Sequence, residues 1–219
     1  MQKQVESQTM VSSKNLSFQY PGGKLLEYPD IKVESGNVLL ILGQSGCGKT
    51  TLLNMLGGLQ RPNGGNVLVQ STDITSLSNK ALDRFRGQHI GFIFQRSYFV
   101  QSLSVRDNIF LAPFLAGKKK DERRLTALAQ SLGIDHLLPK LPTALSQGEQ
   151  QRASIARAII HGPNLVLADE PTSSLDDENT ATVAGLLSRL SSENGAALIV
   201  VTHDIRLKNL IPNQITLNP

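Results

Sequence analysis

The apolar positions of this chain fall into two periods. In its opening part, short runs of branched and aromatic residues are broken by Gly, Pro and Asn: NLSFQYPGGKLL (15–26), GNVLLILG (36–43), GGNVLVQ (64–70) and HIGFIF (89–94). Such runs predict β-strands separated by turns. Between them KTTLLNMLGG (49–58) sets Leu52, Leu53, Met55 and Leu56 in a helix-length window that Gly57 and Gly58 close. From about 97 to 145 the texture turns helical, in SVRDNIFLAPFLAG and again over 118–133, with LLPKLPTALS as a Pro-punctuated connection. This reads as a helical insertion. There follow a helix ending at HGP (161–163), a buried strand LVLAD (165–169), a helix carrying Val183, Leu186, Leu187 and Leu190, and a second apolar strand ALIVVTH (197–203). Apolar strands alternating with amphipathic helices argue for a parallel sheet covered on both faces. The first ten residues, MQKQVESQTM, are expected to form a frayed, flexible terminus.

Composition narrows this picture. With 219 residues, 40% of them hydrophobic, the chain can form one substantial domain that buries roughly 70% of its unfolded surface. The single cysteine, Cys47, cannot form an internal disulfide, and no charged-then-apolar leader opens the chain, which points to the reducing cytoplasm. A net charge of +4 with interspersed signs gives no footprint for nucleic acid, and none is expected as a partner. The densest cluster, KKKDERR (118–124), leads into Leu125, Leu128, Ala129 and Leu132 and reads as a solvated helix start. The longest apolar runs fall far below the roughly 20 residues of a spanning helix, so any membrane role must come through a partner.

Candidate chemistry begins at GQSGCGKT (43–50), which matches G-x-x-x-x-G-K-[ST] directly after an apolar strand and before a helix. In such a loop Gly43, Gln44, Ser45, Gly46, Cys47 and Gly48 curl so that backbone N–H groups face a phosphate. Lys49 reaches the β and γ oxygens, Thr50 offers its hydroxyl to Mg²⁺, and Thr51 continues the helix start. Cys47 reads as a small residue filling the loop. LVLADEP (165–171) ends a strand in two acids: Asp169 would orient the Mg²⁺ and Glu170 would accept the proton of an attacking water. In ALSQGEQQR (144–152), Ser146 and Glu149 form the capping-box pattern, and with Gln147 and Gly148 they open a helix whose N-terminus favours an anion.

The order of motifs resembles the ATP-binding subunits of ABC transporters, from about Val11 to Leu217. It runs GQSGCGKT, Gln95 after IGFIF, LSQGEQQR, LADEP, SSLD (173–176), and His203 in VVTHD. The resemblance implies an α/β fold of the ABC-type P-loop NTPases, with a mixed, mostly parallel core sheet, an N-terminal antiparallel β subdomain and a helical subdomain insertion. Residues 11–219 would form one domain. Within it, 11–96 and 153–219 make the catalytic core with the β subdomain, and about 97–152 the helical subdomain with the signature. The resemblance further implies an ATPase using ATP and Mg²⁺. Gln95 would contact Mg²⁺ and the attacking water, His203 would hydrogen-bond the γ-phosphate, Ser174 and Asp176 would belong to the loop coupling two sites, and Tyr20 would stack on adenine.

The partners so implied are a second copy, stacked head to tail so that the helix after Ser146 in one faces the γ-phosphate on Lys49 of the other, and integral-membrane permease subunits. Attachment through the permease would hold the chain at the inner face of the cell membrane. LLNMLGGLQRPNGGNV, LADEPTSSLD and VVTHD look most like the branch serving lipoprotein release, macrolide-type export and cell division. The segment RSYFVQSLSVRDN (96–108) departs from that branch's Leu-Leu-Pro wording, which leaves the cargo open.

Two alternatives remain. One is a soluble ABC ATPase acting on DNA or ribosomes, against which stand the single cassette and its short helical insertion. The other is a weakly hydrolysing, ATP-gated scaffold, because the usual Leu-Ser-Gly-Gly of the signature carries Gln147 at its third position. A helix-start residue has negative φ, so glycine is not required there, and Gln147 is expected to tune ATP-driven closure without abolishing it.

Overall fold

The computed structural model describes residues 8–172 and 176–217. In chain order, strands β1 (Thr9–Gln19), β2 (Leu25–Glu27), β3 (Ile31–Glu34) and β4 (Val38–Gly43) lead into helix α1 (Lys49–Leu56). Next come β5 (Gly64–Val69), β6 (Thr72–Asp73), α2 (Asn79–His89) and β7 (Ile90–Ile93). The helices α3 (Val105–Leu115), α4 (Glu122–Ser131) and α5 (Gln147–Ile159) precede β8 (Leu165–Asp169), α6 (Asp177–Asn194), β9 (Ala197–Thr202), α7 (Ile205–Lys208) and β10 (Gln214–Leu217).

The strands form two sheets. The core sheet has order β10-β4-β9-β8-β7, and its described pairings are all parallel. The antiparallel pairings expected near the N-terminus form a separate sheet in which β1 pairs with β2, β3 and β5, and β5 with β6. Core strands are buried on both faces because their side chains alternate sides. Leu39, Ile41, Leu165, Leu167, Ile199 and Val201 pack toward α1 and the antiparallel sheet. Leu40, Val166, Ala168, Leu198 and Val200 pack against α3–α6. That double burial produces the uninterrupted apolar runs of the sequence.

Register converts this packing into a site. Leu42 of β4 lies opposite Thr202 of β9, and Asp169 of β8 lies opposite Val201. Three strands therefore end at one edge, and the residues that follow them are delivered together, at the carboxyl ends where parallel α/β sheets place ligands.

Several expectations change. Strand β1 begins at Thr9, inside the stretch expected to fray; Met10 is buried and its carbonyl accepts the Gln70 amide, so sheet pairing overrides the polar texture of the terminus. Helix α4 starts only at Glu122, capped by Asp121, which accepts the Arg124 amide. The 118–124 run is otherwise the solvated helix start expected, with residues 118–123 exposed, and in addition Lys118 donates to the His161 carbonyl at 2.6 Å while Lys120 lies over the Phe110 ring of α3. Helix α2 is mostly polar, with Leu82 buried and Phe85 partly buried on its core side, and it is not among the elements expected from the sequence. In α6, Val183, Leu186 and Leu187 are buried as expected, while the Leu190 side chain lies outside the described residues.

Candidate phosphate and water-activating site

The loop from Gly43 to Thr50 joins β4 to α1 as its spacing predicts. Gly46 and Gly48 take φ of +84° and +93°, left-handed values open to glycine at little cost. Gly48 caps α1 without a side-chain bond, so the helix N-terminus keeps its amides directed outward. Cys47 is buried, and a Cβ placed on Gly43 would come within 2.5 Å of its Sγ. That close fit matches the filling role expected of it.

The Lys49 ammonium donates to the carbonyls of Gly43 (2.8 Å) and Gln44 (2.9 Å). Two neutral acceptors hold a charged donor across the loop, an arrangement that phosphate oxygens can outcompete. The Thr50 hydroxyl donates to Oδ2 of Asp169 at 2.9 Å, joining the helix start to the end of β8. Burial pushes the Asp169 carboxyl above its usual range, opposed by the Thr50 bond, with Glu170 adding to the rise and Lys49 to the fall.

Glu170 follows directly and has φ of +49°, a strained left-handed position for a non-glycine residue. Its amide donates to the Val201 carbonyl at 2.9 Å, which turns the side chain toward the end of β9. There Oε2 accepts the Thr202 hydroxyl at 2.6 Å, while Oε1 accepts the His203 amide at 3.1 Å and faces His203 Nδ1 at 2.7 Å. The His203 side chain is 68% exposed and that of Glu170 8%. The arrangement is a buried carboxylate oriented by three groups, with an imidazole on its solvent side.

The structure thus unites Lys49, Thr50, Asp169, Glu170 and His203. Gln95 is exposed, in a bend two residues beyond β7; Ile93 of that strand pairs with Ala168, so Gln95 emerges at the Asp169 edge. Tyr20 is 48% exposed, and its hydroxyl lies 3.0 Å from that of Thr51. The Phe18 ring meets it edge-on at 4.7 Å.

At the head of α5 the capping box is complete. Glu149 Oε2 accepts the Ser146 amide at 2.7 Å and its hydroxyl at 2.8 Å, and these bonds hold the Glu149 carboxyl below its usual range. Gln147 is exposed and is not among the described residues with positive φ. Among the described residues no hydrogen bond joins this cap to the phosphate loop. Ser174 lies outside the described residues; Asp176 is exposed just before α6, and its carbonyl accepts the Thr180 amide at 2.8 Å.

Some neighbours went unread in the sequence. Thr202 orients Glu170 and also accepts the Asp204 amide at 2.9 Å. Asp204 accepts from Thr172 and Arg206, and the Arg206 guanidinium holds its carboxyl down at about 2. The polar pair flanking His203 in VVTHD was the available signal. Tyr28 lies buried beneath the loop, with nothing in its spacing to mark it.

Residues 26–173 match the ABC transporter family. The chain is 39% identical over 196 residues to LolD, the lipoprotein-releasing system ATP-binding protein of Shewanella denitrificans, covering 89% of this chain and 84% of that protein. It is 40% identical over 200 residues to the macrolide export ATP-binding/permease protein MacB of Campylobacter jejuni, covering 90% of this chain and 31% of that longer one. In structure it resembles the dimeric post-hydrolysis state of the cassette MJ0796 bound to ADP and Pi, with a TM-score of 0.84, 30% identity and coverage of 95% and 94%. No helix among the described residues is long and apolar enough to cross a membrane. A phosphate loop and a buried, oriented carboxylate at one sheet edge agree with these relationships: the chain belongs to the ABC transporter family of ATP-binding, ATP-hydrolysing subunits.

Proposed function

We propose that this chain powers a separate integral-membrane permease, and that two copies close head to tail around two ATP molecules. The observation that carries the hydrolytic part is the Glu170 carboxylate, held by Thr202 and His203 next to the Thr50–Asp169 pair. ATP binds through Lys49 and the amides at the start of α1. Glu170 takes the proton of the attacking water, and the His203 ring sits beside it on the exposed side.

Mg²⁺ fits the donors present, a hydroxyl and a carboxylate oxygen 2.9 Å apart, with the Gln95 amide oxygen as a further ligand of the same hard type. When bound, it supplies charge neutralisation for the transferred phosphoryl group. The signature helix of the second copy, capped by Ser146 and Glu149, would bring its N-terminus to the same phosphates, with Ser174 and Asp176 in the coupling loop between the sites.

The permease reading is supported by a groove of about 440 Å³ between α2, β7, α3 and α5, beginning just beyond Gln95. Phe94, Tyr98, Val100 and Leu115 give it an apolar wall, and Tyr98 and Leu115 are strongly exposed. Arg86, itself paired with Asp83 at 2.7 Å, and Arg157 line it, and no acidic residue is among its described lining, which suits a cytoplasmic permease segment that is apolar and negatively charged. Attachment there would hold the chain at the inner face of the cell membrane. The similarity to LolD and MacB favours lipoproteins or hydrophobic compounds as cargo.

Purification from detergent-solubilised membranes tests this reading. The wild type should carry an integral-membrane protein and hydrolyse ATP, and Glu170→Gln should keep the partner but lose turnover. Leu115→Glu should lose the partner but still bind ATP. Recovery with nucleic acid and no membrane protein would overturn the proposal.

A further inference from the structure

Two hydroxyl contacts beneath and beside the phosphate loop have no part in the functional assignment. Tyr20 and Thr51 place their hydroxyl oxygens 3.0 Å apart. Tyr28, whose hydroxyl burial pushes up to about 12, donates to the Gly48 carbonyl at 3.2 Å. That carbonyl also accepts the Leu52 amide at 2.9 Å, the bond that starts α1. A carbonyl cannot donate, so the Tyr28 hydroxyl gives its proton to Gly48, while Tyr20 and Thr51 share the other bond.

The fit at the inner contact is close. A Cβ on Gly48 would lie 2.6 Å from the Tyr28 hydroxyl oxygen, so the left-handed cap and the phenol occupy one tightly packed corner. At the outer contact the Tyr20 ring is fixed twice, by the Phe18 edge and by its own hydroxyl. A half-exposed tyrosine tied only by stacking would sample several rotamers, and a nucleotide would have to order it.

From this geometry we infer that Thr51 is a positioning residue that ties the Tyr20 ring to the first turn of α1, whose N-terminal cap Tyr28 holds, so that base contact and phosphate contact are presented as one preorganised unit. The inference rests on the reading of Tyr20 as the adenine platform. Its consequence concerns binding: ATP gains affinity over a bare triphosphate because the ring needs no ordering when the base arrives. The residues act through Tyr20 and the loop and touch no reacting atom.

Equilibrium binding of ATP and of inorganic tripolyphosphate to the purified chain tests it, with thermal melting to confirm that each variant is folded. Tyr20→Phe keeps the ring and removes the tie. It should cut the ratio of ATP to tripolyphosphate affinity about three- to tenfold while leaving tripolyphosphate binding unchanged. Thr51→Val should give the same cut, and the double variant no more than either alone, because both break one bond. Tyr28→Phe, which frees the Gly48 carbonyl, should weaken both ligands together.

A wild-type ratio in Tyr20→Phe and Thr51→Val, cuts that multiply in the double variant, or unchanged binding of both ligands by Tyr28→Phe would overturn the inference. Tyr20→Ala separates this from failure of the underlying reading. If it binds ATP as tightly as the wild type, Tyr20 is not the adenine platform. If it loses affinity while Tyr20→Phe does not, the platform stands and the positioning tie falls.

Discussion

Nδ1 of His203 lies 2.7 Å from Oε1 of Glu170, so one ring nitrogen of the histidine is committed to the carboxylate. Both residues directly follow core strands that pair in parallel, β8 and β9. Facing a carboxylate fixes Nδ1 as the protonated nitrogen and leaves Nε2 as the ring's outward polar atom. The histidine is thus oriented by the residue proposed as the base, and the two should fail together. Glu170→Gln and His203→Ala are each expected to lower kcat by more than about 100-fold, with the double variant little worse than the worse single one. Fully multiplicative losses in steady-state ATPase assays would show that the 2.7 Å contact has no part in turnover.

Thr202 supplies the other half of that orientation. Its hydroxyl donates to Oε2 of Glu170 at 2.6 Å from a position with no solvent exposure. Thr202→Val keeps the shape and deletes one bond to a charged group, a change of about 1.5–3 kcal/mol. If that bond aims the base, kcat falls roughly 10- to 100-fold while the KM for ATP stays within about twofold. A change confined to KM would mean that Thr202 serves the binding geometry instead.

Asp169 should show function opposing stability. Burial raises its carboxyl pKa, so the folded chain holds that proton more tightly than the unfolded chain does. Ionisation above the unfolded value near 3.9 therefore destabilises the fold, and the cost persists at neutral pH. Asp169→Asn removes this cost and keeps an acceptor for the Thr50 hydroxyl. Its melting temperature should rise, by about 2–4 °C for each kcal/mol recovered, while Mg²⁺-dependent ATPase activity is lost. A lower melting temperature would show that the Thr50 bond outweighs the desolvation.

Much of this site was legible in the sequence because its parts are local. A phosphate loop needs its glycines, lysine and threonine within one turn, and LADEP places two acids at a strand end. Glu170 and His203 could be named, but their contact arises from the pairing of β8 with β9, which no local spacing encodes. Tyr28 was invisible for the same reason, since it reaches Gly48 across 20 residues. The parallel core announced itself through strands buried on both faces, whereas α2 carries only Leu82 and the partly buried Phe85 on its core side, too few apolar positions to stand out in a polar stretch. The start of β1 was misread because Thr9 and Met10 are held by Glu34 of β3 and by Gln70, partners far along the chain.

His161 gives the fold an acid sensitivity of its own. Burial, with the nearby charges of Lys118 and Arg124, lowers its pKa from 6.5 to about 4, only partly offset by the Ile90 carbonyl. Between those values the unfolded chain takes up a proton that the folded chain refuses, so stability falls as pH drops from 6.5 toward 4 and levels off below. The full effect is about 3 kcal/mol. Denaturation midpoints of the wild type should decline across this window, and His161→Asn should remove much of that slope. An identical slope in the variant would place the acid sensitivity elsewhere.

The signature helix poses a different question, because Gln147 stands where the family's usual wording has glycine. The capping box is complete around it, with Ser146 accepting the Glu149 amide and Glu149 accepting the Ser146 amide, and neither bond involves the Gln147 side chain. The described non-glycine residues with positive φ are Asn15, Gln70, Ser71 and Glu170, so the backbone at Gln147 does not call for glycine. The amides that would meet an anion are therefore present, and glutamine adds only an exposed side chain beside them. Gln147→Gly is expected to change kcat by no more than about fivefold, whereas Ser146→Ala should cost about 1 kcal/mol of stability through the lost cap. Turnover that rises from undetectable to ordinary in Gln147→Gly would mean that the glutamine blocks closure, and the chain would then be an ATP-gated scaffold in its natural form.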